Sequence, residues 1–159
     1  MKLIHFLFCL LIACILFSCS NKKDSTDSFD INSGSNTEEL EDKASTRVDL
    51  ENKGVGPITS VELPEQIDND LARTGQGIYQ QYCTACHKPD VTFIGPAPKG
   101  ILKRRSPEWV MNMILNPGRM IRDDQLAKDL FMEFNGSPMA NQGLTEDEAR
   151  AVLEYFRTL

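Results

Sequence analysis

Four stretches of the chain set apolar residues three and four positions apart, the period of a helix with one buried face. The first runs from a cap at Asn69 or Asp70 to Cys86 and aligns Leu71, Gly75, Ile78, Tyr79 and Tyr82. Gly75 lies within that face, where it lowers helix propensity, so a close crossing by another helix is expected there. Ser106, Pro107 and Glu108 open the second in the order cap, proline, acid; it carries Trp109, Val110, Met113 and Ile114 and stops at Asn116-Pro117-Gly118. The third spans Asp123 to Phe134, with a stripe of Leu126, Ala127, Leu130, Phe131 and Phe134, and ends at Asn135-Gly136. The fourth opens with the capping box Thr145-Glu146-Asp147-Glu148 and buries Ala149, Val152, Leu153 and Phe156. No alternating strand pattern interrupts them. The expected fold is a small all-α domain over 66–159, with irregular loops at 88–100 and 136–143 where a bound group would be enclosed.

Towards the N-terminus the pattern changes. Met1-Lys2 precedes an apolar run from Leu3 to Phe17, too short for a comfortable membrane span and matched to a secretory signal. Leu16-Phe17-Ser18-Cys19, followed at once by polar residues, resembles a bacterial lipoprotein box, so 1–18 are expected to be a signal peptide and Cys19 the lipidated first residue. Cys14 fits the same box but would leave Ile15-Leu16-Phe17 at the mature start, and an uncleaved anchor helix is the other alternative. Each version places the protein outside the cytoplasm, anchored to a bacterial membrane and facing the periplasm or the cell exterior. Residues 19–65 then read as the lipidated N-terminus and a disordered linker, because they offer too little apolar surface to offset chain entropy.

Charge sharpens that division. Residues 20–65 hold 5 Lys or Arg against 11 Asp or Glu, a balance of −6 that equals the formal charge of the whole chain. Residues 66–159 hold 11 against 12 and are close to neutral, with no demand for a nucleic-acid partner.

The chemistry is concentrated in Cys83-Thr84-Ala85-Cys86-His87. Two cysteines two residues apart, followed by histidine, form the pattern that attaches a c-type haem, with two thiols bonding the porphyrin and the imidazole ligating iron. Zinc would need four ligands, and past Cys19 no cysteine or histidine beyond these three remains. A thioredoxin-type pair would open a helix after a buried strand, whereas this one closes a helical pattern. Export fits haem attachment, which in bacteria follows translocation.

From Leu71 to Leu159 the residues resemble class I c-type cytochromes. Gly75 and Tyr79 followed by the CxxCH motif resemble the family's first helix, where a glycine and an aromatic meet the last helix, and Tyr155 stands where that last helix has its aromatic partner. The resemblance implies one covalent haem c on Cys83 and Cys86. It implies that the carbonyl of Pro96, in Ile94-Gly95-Pro96, fixes the His87 ring. It also makes Met139, in the loop before the last helix, the second axial ligand, although Pro138 precedes it and Ala140 follows, where the family often has proline after the methionine. Met120 also lies in a loop-like stretch, whereas Met111, Met113 and Met132 fall within helical segments where methionine ordinarily packs. Trp109 and the run Lys103-Arg104-Arg105, Arg105 in particular, stand where the family hydrogen-bonds or neutralises haem propionates; a core role for Trp109 and a solvated face for the basic run are the alternatives.

The function so implied is electron transfer by Fe(III)/Fe(II) cycling, and no general acid, base or nucleophile beside the motif suggests an enzyme. The partners implied are redox proteins: an upstream quinol-linked donor and a downstream terminal reductase. The segment from Pro107-Glu108-Trp109 to Asn116-Pro117-Gly118 and the chain's ending resemble small cytochromes of anaerobic respiration, including donors to nitrous oxide reductase. The competing reading is a haem-based ligand sensor or small peroxidase-like protein with an open sixth position. A redox or metal-binding lipoprotein that uses CxxC without haem is a third.

Overall fold

The computed structural model describes residues 43–159. The expected signal peptide, Cys19 and the expected linker as far as residue 42 lie outside the described residues. Five α-helices occur among the described residues: α1 Asn69–Tyr82, α2 Pro107–Leu115, α3 Pro117–Asp123, α4 Gln125–Glu133 and α5 Glu146–Arg157, with a 3₁₀ turn at Ile101–Lys103. None of them is long and apolar enough to cross a membrane.

Each helix starts on a side chain that accepts otherwise unpaired N–H groups. Asp68 caps α1, one residue before the expected cap, by accepting from the N–H groups of Asp70 and Leu71. Ser106 caps α2, Asp124 caps α4, and Thr145 with Glu148 forms the capping box of α5. α1 ends at Tyr82, short of the expected Cys86; residues 83–87 instead form a tight turn in which the Cys83 carbonyl accepts from the N–H groups of both Cys86 and His87. The expected stop at Asn116-Pro117-Gly118 is also a start. Asn116 closes α2, caps α3 by accepting from Arg119 N–H, and is followed by a proline whose missing N–H costs nothing at the first helical position.

α1 and α5 cross at Gly75, where a Cβ would stand 1.9 Å from the Ala151 carbonyl oxygen, so only glycine lets the two backbones touch. Below the crossing, the Tyr79 ring lies 5.3 Å from that of Tyr155 and meets Phe156 edge-on at 5.8 Å. The core joins Val110, Met111 and Ile114 of α2, Leu126, Ala127 and Leu130 of α4, and Ala149, Val152 and Leu153 of α5.

Residues 43–65 correct the expectation of a disordered linker over that stretch. They form a strap packed on the helices, with Ala44 and Ile58 buried and Val55, Val61 and Leu63 half-buried against the core. Its backbone is held by polar side chains of the domain. Asn112, fully buried, accepts from Ile58 N–H at 3.0 Å and donates to the carbonyls of Lys53 and Ile58 at 3.0 and 2.9 Å. Ser106 donates to the Asn52 carbonyl, Asn52 donates to Asp124, and Val55 N–H donates to the sulfur of Met120 at 3.1 Å. Composition measures apolar content, and this segment is ordered instead by hydrogen bonds that leave few buried polar groups unpaired.

Candidate haem site

His87 is fixed from two sides. Its Nδ1 lies 2.8 Å from the Pro96 carbonyl oxygen, and because a carbonyl can only accept, Nδ1 carries a proton, which leaves Nε2 as the ring nitrogen available to a metal. Its backbone carbonyl accepts from the Tyr79 hydroxyl at 3.0 Å. Burial, then the nearby Cys83 and Tyr155, push that phenol up to about 12, so it stays a donor throughout the physiological range. The loop that brings Pro96 to the ring depends on Gly95, whose N–H bonds the Cys86 carbonyl at 2.9 Å and whose Cβ, if present, would stand 2.4 Å from His87 Cε1.

Cys83, half-buried, and Cys86, exposed, are both free thiols. Burial, with Cys86 adding to it, pushes Cys83 up to about 11. That direction is opposite to the lowered nucleophilic thiol of redox-active CxxC pairs.

One cavity collects these residues. Cys83, Cys86, His87, Pro96, Arg105, Trp109 and Met139 all line it. Its walls are mainly apolar: Ile94 from the first loop, Ile101 from the 3₁₀ turn, Val110, Met113 and Ile114 from α2, Leu130 and Phe131 from α4, Val152 and Phe156 from α5. The loops at 88–100 and 136–143, expected to enclose a bound group, supply Ile94 to Pro98 and Ser137 to Ala140.

The methionines separate by position. Met120 is on α3, fully buried, outside the cavity wall and bonded through sulfur to the strap. Met111 is buried in the core and Met132 is 68% exposed. Met113 lines the cavity from α2, and Met139 lines it from the loop before α5.

Trp109 corrects part of the expectation for it. Its indole N–H is spent on Asp124 at 3.1 Å, so the ring serves as cavity wall and anchors the start of α4 instead of offering a donor to a propionate. Arg105 is buried at 2% exposure, lies over the Trp109 ring and donates to the carbonyls of Ala44, Arg47 and Arg104. The solvated-face alternative therefore holds for exposed Lys103 but not for Arg105. Burial and then Arg104 hold its guanidinium below the usual arginine value, and among the described residues it forms no ion pair with a carboxylate. A buried cation on a mainly apolar wall, with Arg104 also lining it, fits a ligand that brings its own carboxylate. Two thiols, an imidazole with a free Nε2, apolar walls and this cation together fit haem c.

Ser45 also lines the cavity, and no sequence signal pointed to it, because it lies in the stretch assigned to the linker.

Residues 72–159 match the family model described as Cytochrome c. Among solved structures, the chain is similar to the cytochrome c from Rhodothermus marinus, at 42% identity over 74% of this chain and 93% of that one, with a TM-score of 0.63. It is similar to an engineered form of that protein at 41% identity, covering 74% of this chain and 94% of that one, with a TM-score of 0.63. The engineered form bound to a carbene intermediate matches at 41% identity with the same coverage and a TM-score of 0.61. On these matches and the helical fold that carries the CxxCH turn, the chain belongs to the cytochrome c family, as a class I member with covalently attached haem c as its cofactor.

Proposed function

We propose that this haem-based electron carrier works as a lipid-anchored shuttle, exported and tethered through Cys19, that takes electrons from a quinol-linked donor and passes them to a terminal reductase such as nitrous oxide reductase. The observation that carries the electron-transfer reading is the convergence of Cys83, Cys86, His87 and Met139 on one apolar cavity, with the His87 ring already oriented by Pro96. When bound, haem supplies one-electron exchange between two iron states. Cys83 and Cys86 would hold it by thioether bonds, His87 would offer Nε2, and the Met139 sulfur would offer a soft ligand of the kind that favours the reduced state and raises the potential. Pro96 keeps the imidazole from rotating between oxidation states, and Arg105 neutralises a propionate.

Exposed Lys99, in the loop that carries Pro96, and exposed Lys103, in the 3₁₀ turn that follows it, support docking of an acidic partner. Arg105 is buried, and Arg119 on α3 pairs with Asp123 at 3.5 Å, so neither adds a free charge to that face.

Film voltammetry on the purified holoprotein tests the carrier reading. One reversible one-electron wave is expected, without catalytic current on addition of peroxide. A large peroxide current would favour the peroxidase-like alternative. For the anchor, Cys19→Ser should release soluble cytochrome; a variant that stays membrane-bound would favour an uncleaved helix.

A further inference from the structure

The start of the strap joins two walls of the cavity. Ser45 N–H donates to Glu133 at 2.8 Å and the Ser45 hydroxyl donates to the other oxygen of the same carboxylate. Two residues on, Arg47 pairs with Asp129 one turn earlier on α4, at 2.8 Å. The carbonyls of Ala44 and Arg47 meanwhile receive the Arg105 guanidinium, and Asp49 N–H bonds the Arg104 carbonyl at 2.9 Å. Residues 44–49 therefore tie the Arg104-Arg105 wall to the C-terminal turn of α4. Glu133 is the last residue of that helix. The chain then turns through Asn135 and Gly136, both at positive φ, and Ser137 N–H bonds the Phe134 carbonyl at 3.1 Å as the chain enters the loop that carries Met139.

We propose that Ser45 and Glu133 form a clasp that holds the Met139 loop closed over the cavity, so that opening of the loop, and access of small ligands to the iron, requires the clasp to break. This rests on the reading of Met139 as axial ligand. Ser45 and Glu133 are positioning residues that act through the end of α4. A ligand that binds only the open form sees its apparent affinity reduced by the fraction open. Weakening the clasp raises that fraction.

Imidazole binding to the ferric holoprotein, followed optically, reads this directly. Glu133→Ala should tighten the apparent affinity about tenfold, the scale of losing hydrogen bonds to a charged carboxylate. Ser45→Ala should tighten it less, about threefold, and guards against a Glu133 variant that does not mature. Adding Ser45→Ala to Glu133→Ala should change nothing further, because both remove one link. Glu154→Gln, whose partners lie on α1 and α5, should lower unfolding stability without changing imidazole affinity. Unchanged affinity in both clasp variants, additive effects, or an equal gain from Glu154→Gln would overturn the clasp. The wild-type ferric spectrum is recorded first: absence of the thioether band there would remove the Met139 reading, independently of the clasp.

Discussion

Gly95 shows how much of the site depends on single atoms. A methyl group there would stand 2.4 Å from His87 Cε1 and 2.9 Å from Nδ1, closer than any real Cβ contact, and the obstacle is the ring that must stay in place. Gly95→Ala should therefore break the His87 to Pro96 hydrogen bond, cost about 1–3 kcal/mol of stability and raise the potential, because the lost bond had made the imidazole a stronger donor to ferric iron, as read by guanidinium unfolding and voltammetry. The local motifs were readable at this scale because their chemistry lies within a few residues: CxxCH, Gly-Pro and the Gly75 to Tyr79 spacing all sit where the cavity and the helix crossing need them. The roles of Arg105 and Trp109 were only half readable. What decides them is which donors are already spent, on Ala44, Arg47 and Asp124, and those partners are distant in sequence or hidden in an unpatterned segment.

Among the elements described, four of the five helices were foreseeable from apolar period and capping residues, whereas α3 and the strap were not. α3 escaped because proline reads as a terminator, although Asn116-Pro117 also meets every requirement of a helix start. The strap escaped because its order comes largely from hydrogen bonds to side chains on and beside α2 and α4 that a hydrophobic stripe ignores. Asn112 is the test of that explanation. Asn112→Ala leaves the N–H and carbonyl of Ile58 and the carbonyl of Lys53 without their buried partner, so it should cost about 3 kcal/mol. Hydrogen exchange should show protection lost at Ile58 well before it is lost in α5. Equal loss in both would mean that the strap is no separate unit.

For the molecule as a whole, acid stability is linked to the fully buried Glu154, which accepts from Arg150 and Arg157 at 2.6 Å each and from Asp68 N–H at 2.9 Å. Burial raises its carboxyl, but the bonds from Arg150 and Asp68 and the charges of both arginines outweigh it and hold the group below the ordinary 4.5. A depressed carboxylate contributes its stability in full above 4.5 and loses it as pH falls below that value through the folded-state one. Glu154→Gln should cost about 3 kcal/mol at neutral pH and flatten the fall in stability below pH 4.5, measured by unfolding across that range. Ligation of one covalently held haem by His87 and Met139, as proposed, predicts a definite optical signature. The oxidised wild type should show a weak thioether-to-iron band near the red end of the visible spectrum, and the reduced wild type should not bind carbon monoxide. Met139→Ala should lose the band and bind carbon monoxide when reduced. A variant that keeps the wild-type spectrum and excludes carbon monoxide, or a wild type that binds it readily, would contradict ligation by Met139.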